Sequence, residues 1–179
     1  LQLHLDRRIV DAVIDLGESH MRNTAATAGL AGLTLAEQFL LWACRHWVAN
    51  HRNIAEAMPR LRQGFTVAGV EEAILPFHCL MTVLAQHHTR PLDLGCGGCG
   101  TLGADEAMLL RVVGGCQRCC YSLAATMLQD CLPGTAARIA ADHADRVARH
   151  FAAAGLVLPV RQGPAAPGAC PDRGLSLLQ

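Results

Sequence analysis

The chain has 179 residues and a mass of 19.1 kDa, is 51% hydrophobic, 17% charged and 4% aromatic, and has a formal net charge of zero. That length suits one domain with a core large enough to fold without covalent help. All fifteen basic residues are Arg, which excludes lysine Schiff-base and P-loop chemistry, and the neutral balance leaves no electrostatic footprint for nucleic acid or an anionic membrane.

Helical periodicity dominates from the start. Leu5, Ile9, Val13 and Leu16 follow the three-four spacing while Asp6, Asp11, Asp15 and Glu18 lie elsewhere on the wheel, so a first helix is expected there. It ends at Gly17 or in the looser Gly29 to Gly32 region. Thr34 and Glu37 then form a capping-box pattern. The pattern opens the run QFLLWACRHWVAN, apolar over most of its circumference, with Gln38, Arg45 and Arg52 as a thin polar stripe; this is expected to be the most buried helix.

Val67, Val70, Ile74, Phe77, Met81, Leu84 and His88 alternate spacings of three and four, a bundle seam with a kink or restart expected at Pro76. The most apolar stretch, residues 73–85, falls short of the roughly 20 residues that cross a bilayer. After Arg90-Pro91, LDLGCGGCGTLG reads as a Gly-rich loop. Asp105 and Glu106 follow in the first turn of a helix, where they complement its dipole. The stripe Leu109, Val113, Cys116, Cys120, Leu123, Met127 runs through Gly114-Gly115, where the helix either continues or breaks.

Leu132-Pro133-Gly134 stops that helix, and Thr135 is expected to cap the last one. Four-residue spacings there pair Arg138 with Asp142, Asp142 with Arg146 and Asp145 with Arg149, and Gly155 ends the helix as a C′ residue. Beyond Pro159 the Pro- and Gly-containing sequence has no periodicity. The expected architecture is all-α, an irregular bundle of about five helices over residues 1–158 with a Gly/Cys-rich loop, then a flexible, disordered tail over 159–179.

Nine cysteines need an account. Their number is odd, several sit in helical patterns, and the opening residues contain no apolar signal-peptide core, so a reducing, cytoplasmic setting is expected. Cys44, Cys79, Cys120 and Cys131 read as helical or helix-end residues, and Cys170 falls in the tail. Cys96, Cys99, Cys116 and Cys119 form two CxxC pairs sixteen residues apart, the spacing at which four thiolates close a tetrahedron around zinc. The competing reading makes them unpaired thiols, since Cys116 and Cys120 share an apolar helical stripe. A Cys96–Cys99 redox couple lacks the βαβ context such motifs use. Residues 95–100 also satisfy GxGxxG, but no buried strand precedes them and the helix starts only after Gly103.

The nine histidines yield no Glu-x-x-His or HExxH pattern. His46 and His51 diverge on the helix; His87 and His88 suit a helix C-terminus; His143 and His150 read as edge-of-core residues. Trp42 and Trp47 are expected in the core. No Cys, His and Asp set has a family-type catalytic signature. The sequence thus points to a non-catalytic accessory or protein-interaction role, through a homodimer or a partner bound on an apolar helical face. The alternatives are a zinc or thiol sensor on the four cysteines and an enzyme of unrecognised type.

Overall fold

The computed structural model describes Leu30 and residues 32–95 and 97–160. The helix expected over residues 5–16 and all but the first two residues of the tail lie outside the described residues. Six α-helices and no strand occur among the described residues: α1 Leu35–Ala49, α2 Ile54–Val67, α3 Ile74–His87, α4 Ala104–Cys116, α5 Tyr121–Leu128 and α6 Gly134–Ala153. The fold is all-α, an irregular bundle. No helix among the described residues is long and apolar enough to cross a membrane.

α1 begins as its capping box requires. The Thr34 hydroxyl accepts from the Glu37 N–H at 3.4 Å and the Glu37 carboxylate accepts from the Thr34 N–H at 2.7 Å. The seam from Val67 to His88 is not one helix. Val67 ends α2, Gly69 adopts φ +70, a short 3₁₀ turn spans Glu71–Ala73, and α3 starts at Ile74. Pro76 therefore lies in the first turn of α3, where its missing N–H has no helical partner to lose, and marks a start instead of a kink. α2 itself contains Pro59 on an exposed face; it buries Ala57, Leu61, Gly64 and Phe65.

The Leu109–Met127 stripe is broken, but not at the glycine pair. Gly114 and Gly115 stay in α4, and the chain turns at residues 117–120 with Cys119 at φ +59. Gly114 remains helical with Leu158 and the Pro159 carbonyl packed against it, at 3.4 and 3.5 Å from where a Cβ would sit. The last helix starts at Gly134 with Pro133 as N-cap, so Thr135 is inside it and caps nothing. Arg146 pairs with Asp142 and Arg149 with Asp145, whereas Arg138 donates to the Thr135 hydroxyl. Gly155 takes the C′ position at φ +78.

α6 is the central helix, packing most extensively on α3, then on α5 and α4. Its inner face is nearly all alanine (Ala137, Ala140, Ala141, Ala144 and Ala148), which lets neighbouring helices approach closely. The four phenylalanines of the chain meet in one cluster, one each from α1, α2, α3 and α6. Phe65 lies 5.2 Å from Phe39, 5.4 Å from Phe77 and 6.4 Å from Phe151, centroid to centroid. This cluster fixes the position of α1 and, through α1, the loop between α3 and α4.

Candidate functional site

The described residues of the loop over 88–103 form no helix or strand, yet they are tied down at many points. Arg45, in the middle of α1, is only 4% exposed and Glu106, in the first turn of α4, only 1%. The Arg45 Nε and Nη2 donate to Glu106 Oε1 and Oε2 at 2.7 and 2.8 Å, a bidentate pair. The same guanidinium donates to the carbonyls of Cys99 and Thr101, and the Glu106 carboxylate accepts from the N–H groups of Gly95 at 2.9 Å and Gly103 at 2.8 Å. The pair therefore holds both arms of the loop, each through donors and acceptors of the correct sign.

A second layer repeats the device nearer the surface. Arg90 donates twice to Asp105, which also accepts from the Asp93 N–H at 2.7 Å; the Asp93 carboxylate in turn accepts from the Ala104 N–H at 2.7 Å. Gly103, the N-cap of α4, has no side chain, so Asp93 takes one of the orphan donors from across the loop. The Arg90 guanidinium holds the Asp105 carboxyl below its ordinary range. Close approach requires glycine at 103, where a Cβ would run into the Asp93 carbonyl oxygen, and makes position 95 tight, with a Cβ 3.0 Å from the Arg45 Nη2. Gly97 and Gly98, at the exposed tip, have open space around them.

Beside the loop, the ends of α1 and α3 enclose a groove of about 200 Å³. Trp47, Val48, Met81 and Leu84 line it together with Leu92 and Leu94 of the loop. His51 and His88 flank it. Each holds its Nδ1 against a helix carbonyl, Val48 at 2.8 Å for His51 and Leu84 and Ala85 at 3.2 and 3.1 Å for His88. Because a carbonyl only accepts, the ring proton sits on Nδ1 in both. The Trp47 indole N–H donates to His78 Nδ1 at 3.0 Å.

Three of the four sequence-predicted cysteines lie among the described residues. Cys96 lies outside the described residues. Cys99 is half-buried in the loop, with its carbonyl on Arg45. Cys116 and Cys119 share the turn after α4, where the Cys119 N–H donates to the Cys116 carbonyl at 3.0 Å. Cys119 is exposed, while burial pushes the Cys116 thiol up to about 12. Among the described residues no three His, Cys, Asp or Glu side chains gather to hold a metal ion. Cys44, next to the ion pair, is likewise pushed up to about 12 by burial, reinforced by Glu106.

The sequence pattern does not mark the anchors of the loop as site residues. Arg45 reads as part of a polar stripe and Glu106 as a helix-dipole residue. One signal was available: Arg45 stands inside FLLWACRHWV, and a charge centred in an otherwise apolar run requires a buried partner of opposite sign. Comparison of the chain with protein-family models, with curated proteins and with solved structures yields no match.

Proposed function

We propose that the chain is a non-catalytic protein-interaction module whose recognition surface is the loop over residues 88–103. The observation that carries this reading is the buried Arg45–Glu106 pair, which bonds to the backbone of that loop at Gly95, Cys99, Thr101 and Gly103. The sixteen residues that separate α3 from α4 are more than a compact bundle needs to connect two helices, and loops of that length on a rigid scaffold generally serve binding. A buried ion pair is a poor source of stability compared with apolar packing, so its use here fits a demand for one loop conformation. We place the module in the cytoplasm, in keeping with the free, buried thiols of Cys44, Cys116 and Cys131.

The test is affinity capture from the cells that make the protein, comparing the natural chain with a Gly97→Asp/Gly98→Asp variant. Both positions have room for a side chain, so the fold should be unchanged. The natural chain should retain a stoichiometric protein partner, and the variant should lose it at least tenfold with an unaltered melting curve. Equal capture by both forms, or no partner for either, would sink the reading. Stoichiometric zinc in protein purified without chelator, with stability lost in EDTA, would favour instead a metal module on Cys96, Cys99, Cys116 and Cys119.

A further inference from the structure

We infer that Cys119 is a site of reversible oxidation, and that its disulfide with Cys116 releases the extended segment over residues 156–160 from the end of α4, independently of the recognition loop. The two thiols form a CxxC, Cys116-Gln117-Arg118-Cys119, at the turn between α4 and α5. The bond from the Cys119 N–H to the Cys116 carbonyl closes a four-residue turn, which keeps the two Cα atoms within about 7 Å. Disulfides span about 4.4–6.8 Å between Cα atoms, so the backbone is already near bridging distance. The side chains are not. Cys116 is 3% exposed and lies near Asp145 of α6, whereas Cys119 is exposed. Cys119 also keeps its thiol at φ +59, a conformation that glycine adopts at lower cost.

The two residues between the cysteines hold the segment. The Gln117 amide donates to the Leu156 carbonyl at 2.8 Å and accepts from the Leu158 N–H at 2.9 Å, as a neighbouring strand would. Arg118 donates to the Leu158 carbonyl at 3.0 Å and to the Gly114 carbonyl at 2.7 Å. Leu156 and Leu158 are buried, while Val157 between them is exposed. Hydrogen peroxide is the oxidant. The Cys119 thiolate attacks one peroxide oxygen and becomes a sulfenic acid, and the departing hydroxide takes up a proton to leave as water. The Cys116 sulfur then displaces the second oxygen: the S–S bond forms, and that oxygen leaves with the Cys116 proton as a second water. Two thiols are oxidised and one peroxide is reduced. Burial pushes the Cys116 thiol up to about 12, so it attacks only once the last turn of α4 opens and brings its sulfur outward. With the sulfurs joined about 2.05 Å apart, that turn cannot re-form around a buried Cys116, and Gln117 and Arg118 no longer meet the segment.

The experiment treats the reduced full chain, at low micromolar concentration, with a small excess of hydrogen peroxide, then blocks the remaining thiols with iodoacetamide for non-reducing peptide mapping. Trypsin cuts after Arg118, so the expected bond joins the peptide over residues 112–118 to the one over 119–138 within a single chain. Hydrogen exchange at the Leu158 amide, which is bonded to Gln117 in the reduced protein, should rise at least tenfold with that bond and return when dithiothreitol reduces it. Cys119→Ser should lose both effects. Cys119→Gly, which suits the left-handed backbone, repeats the comparison in case the serine form does not fold. The inference is overturned by the absence of a bond between these peptides, or by one that survives both variants and so belongs to Cys120 or Cys131. A disulfide between two chains overturns it as well, and so does the expected bond forming while exchange at Leu158 stays unchanged.

Discussion

Three helices end in the same way. After α2, α4 and α6 an N–H two or three residues past the cap returns to a carbonyl five residues back: Val70 to Phe65, Cys120 to Gly115 and Leu156 to Phe151. The left-handed residue is Gly69 in the first and Gly155 in the third, but Cys119 in the second. A side chain there costs about 1 kcal/mol relative to glycine. Cys119→Gly is therefore expected to stabilise the protein by about 0.5–1 kcal/mol, read as a higher urea midpoint at unchanged slope; a lower midpoint would refute it. A second residue-scale effect comes from His46 and His143, both held below the ordinary imidazole value, first by burial, with Arg60 and Arg146 contributing. The folded state then binds protons less readily than the unfolded chain. Stability should fall as pH drops below about 6.5, the unfolded value, and level off once the folded values are passed. Replacing both with Gln should flatten the decline in Tm between pH 7 and 5.5, and an unchanged slope would exclude these two residues as its source.

At the scale of elements, the buried pair makes a sharp prediction about α1, α4 and the loop between α3 and α4. Arg45→Met leaves the Glu106 carboxylate buried without its cation, a change that costs about 3–5 kcal/mol. Arg45→Met/Glu106→Met removes both charges and should recover part of that loss in a urea series, although Gly95 and Gly103 then lose their acceptor. If the single variant costs under about 1 kcal/mol, the pair is not what holds the loop. The elements were unevenly legible in the sequence. The α1 start, the Gly155 stop and the Gly-rich loop could be read because each is written in contiguous residues. α2 could not: Pro59, Gly64 and several charges mask a buried face of Ala57, Leu61 and Phe65 that only tertiary contact reveals. For the candidate site, cysteine spacing drew the eye, whereas Arg45 and Glu106 meet across 61 positions of sequence, a distance no local pattern records.

For the whole molecule the decisive feature is that the phenylalanines converge. A composition of 4% aromatic residues says nothing about where they meet, yet Phe39, Phe65, Phe77 and Phe151 are all fully buried and join four helices at one point. Phe65 touches the other three, so Phe65→Ala should cost about 3–5 kcal/mol, a large part of the roughly 5–15 kcal/mol that holds a domain together. Phe65→Leu, which keeps most of the volume, should cost less. The consequence reaches the loop. Phe39 and Arg45 belong to the same helix, so the Arg45 guanidinium reaches Glu106 and the Cys99 and Thr101 carbonyls from an α1 that the Phe cluster keeps seated. Hydrogen exchange of the bonded Gly95 and Gly103 amides should then be governed by global unfolding, and their protection should fall in Phe65→Ala by the same free energy as the urea stability. Fast exchange in the natural protein, or protection indifferent to Phe65, would show that the loop opens by itself and is not held as part of the core.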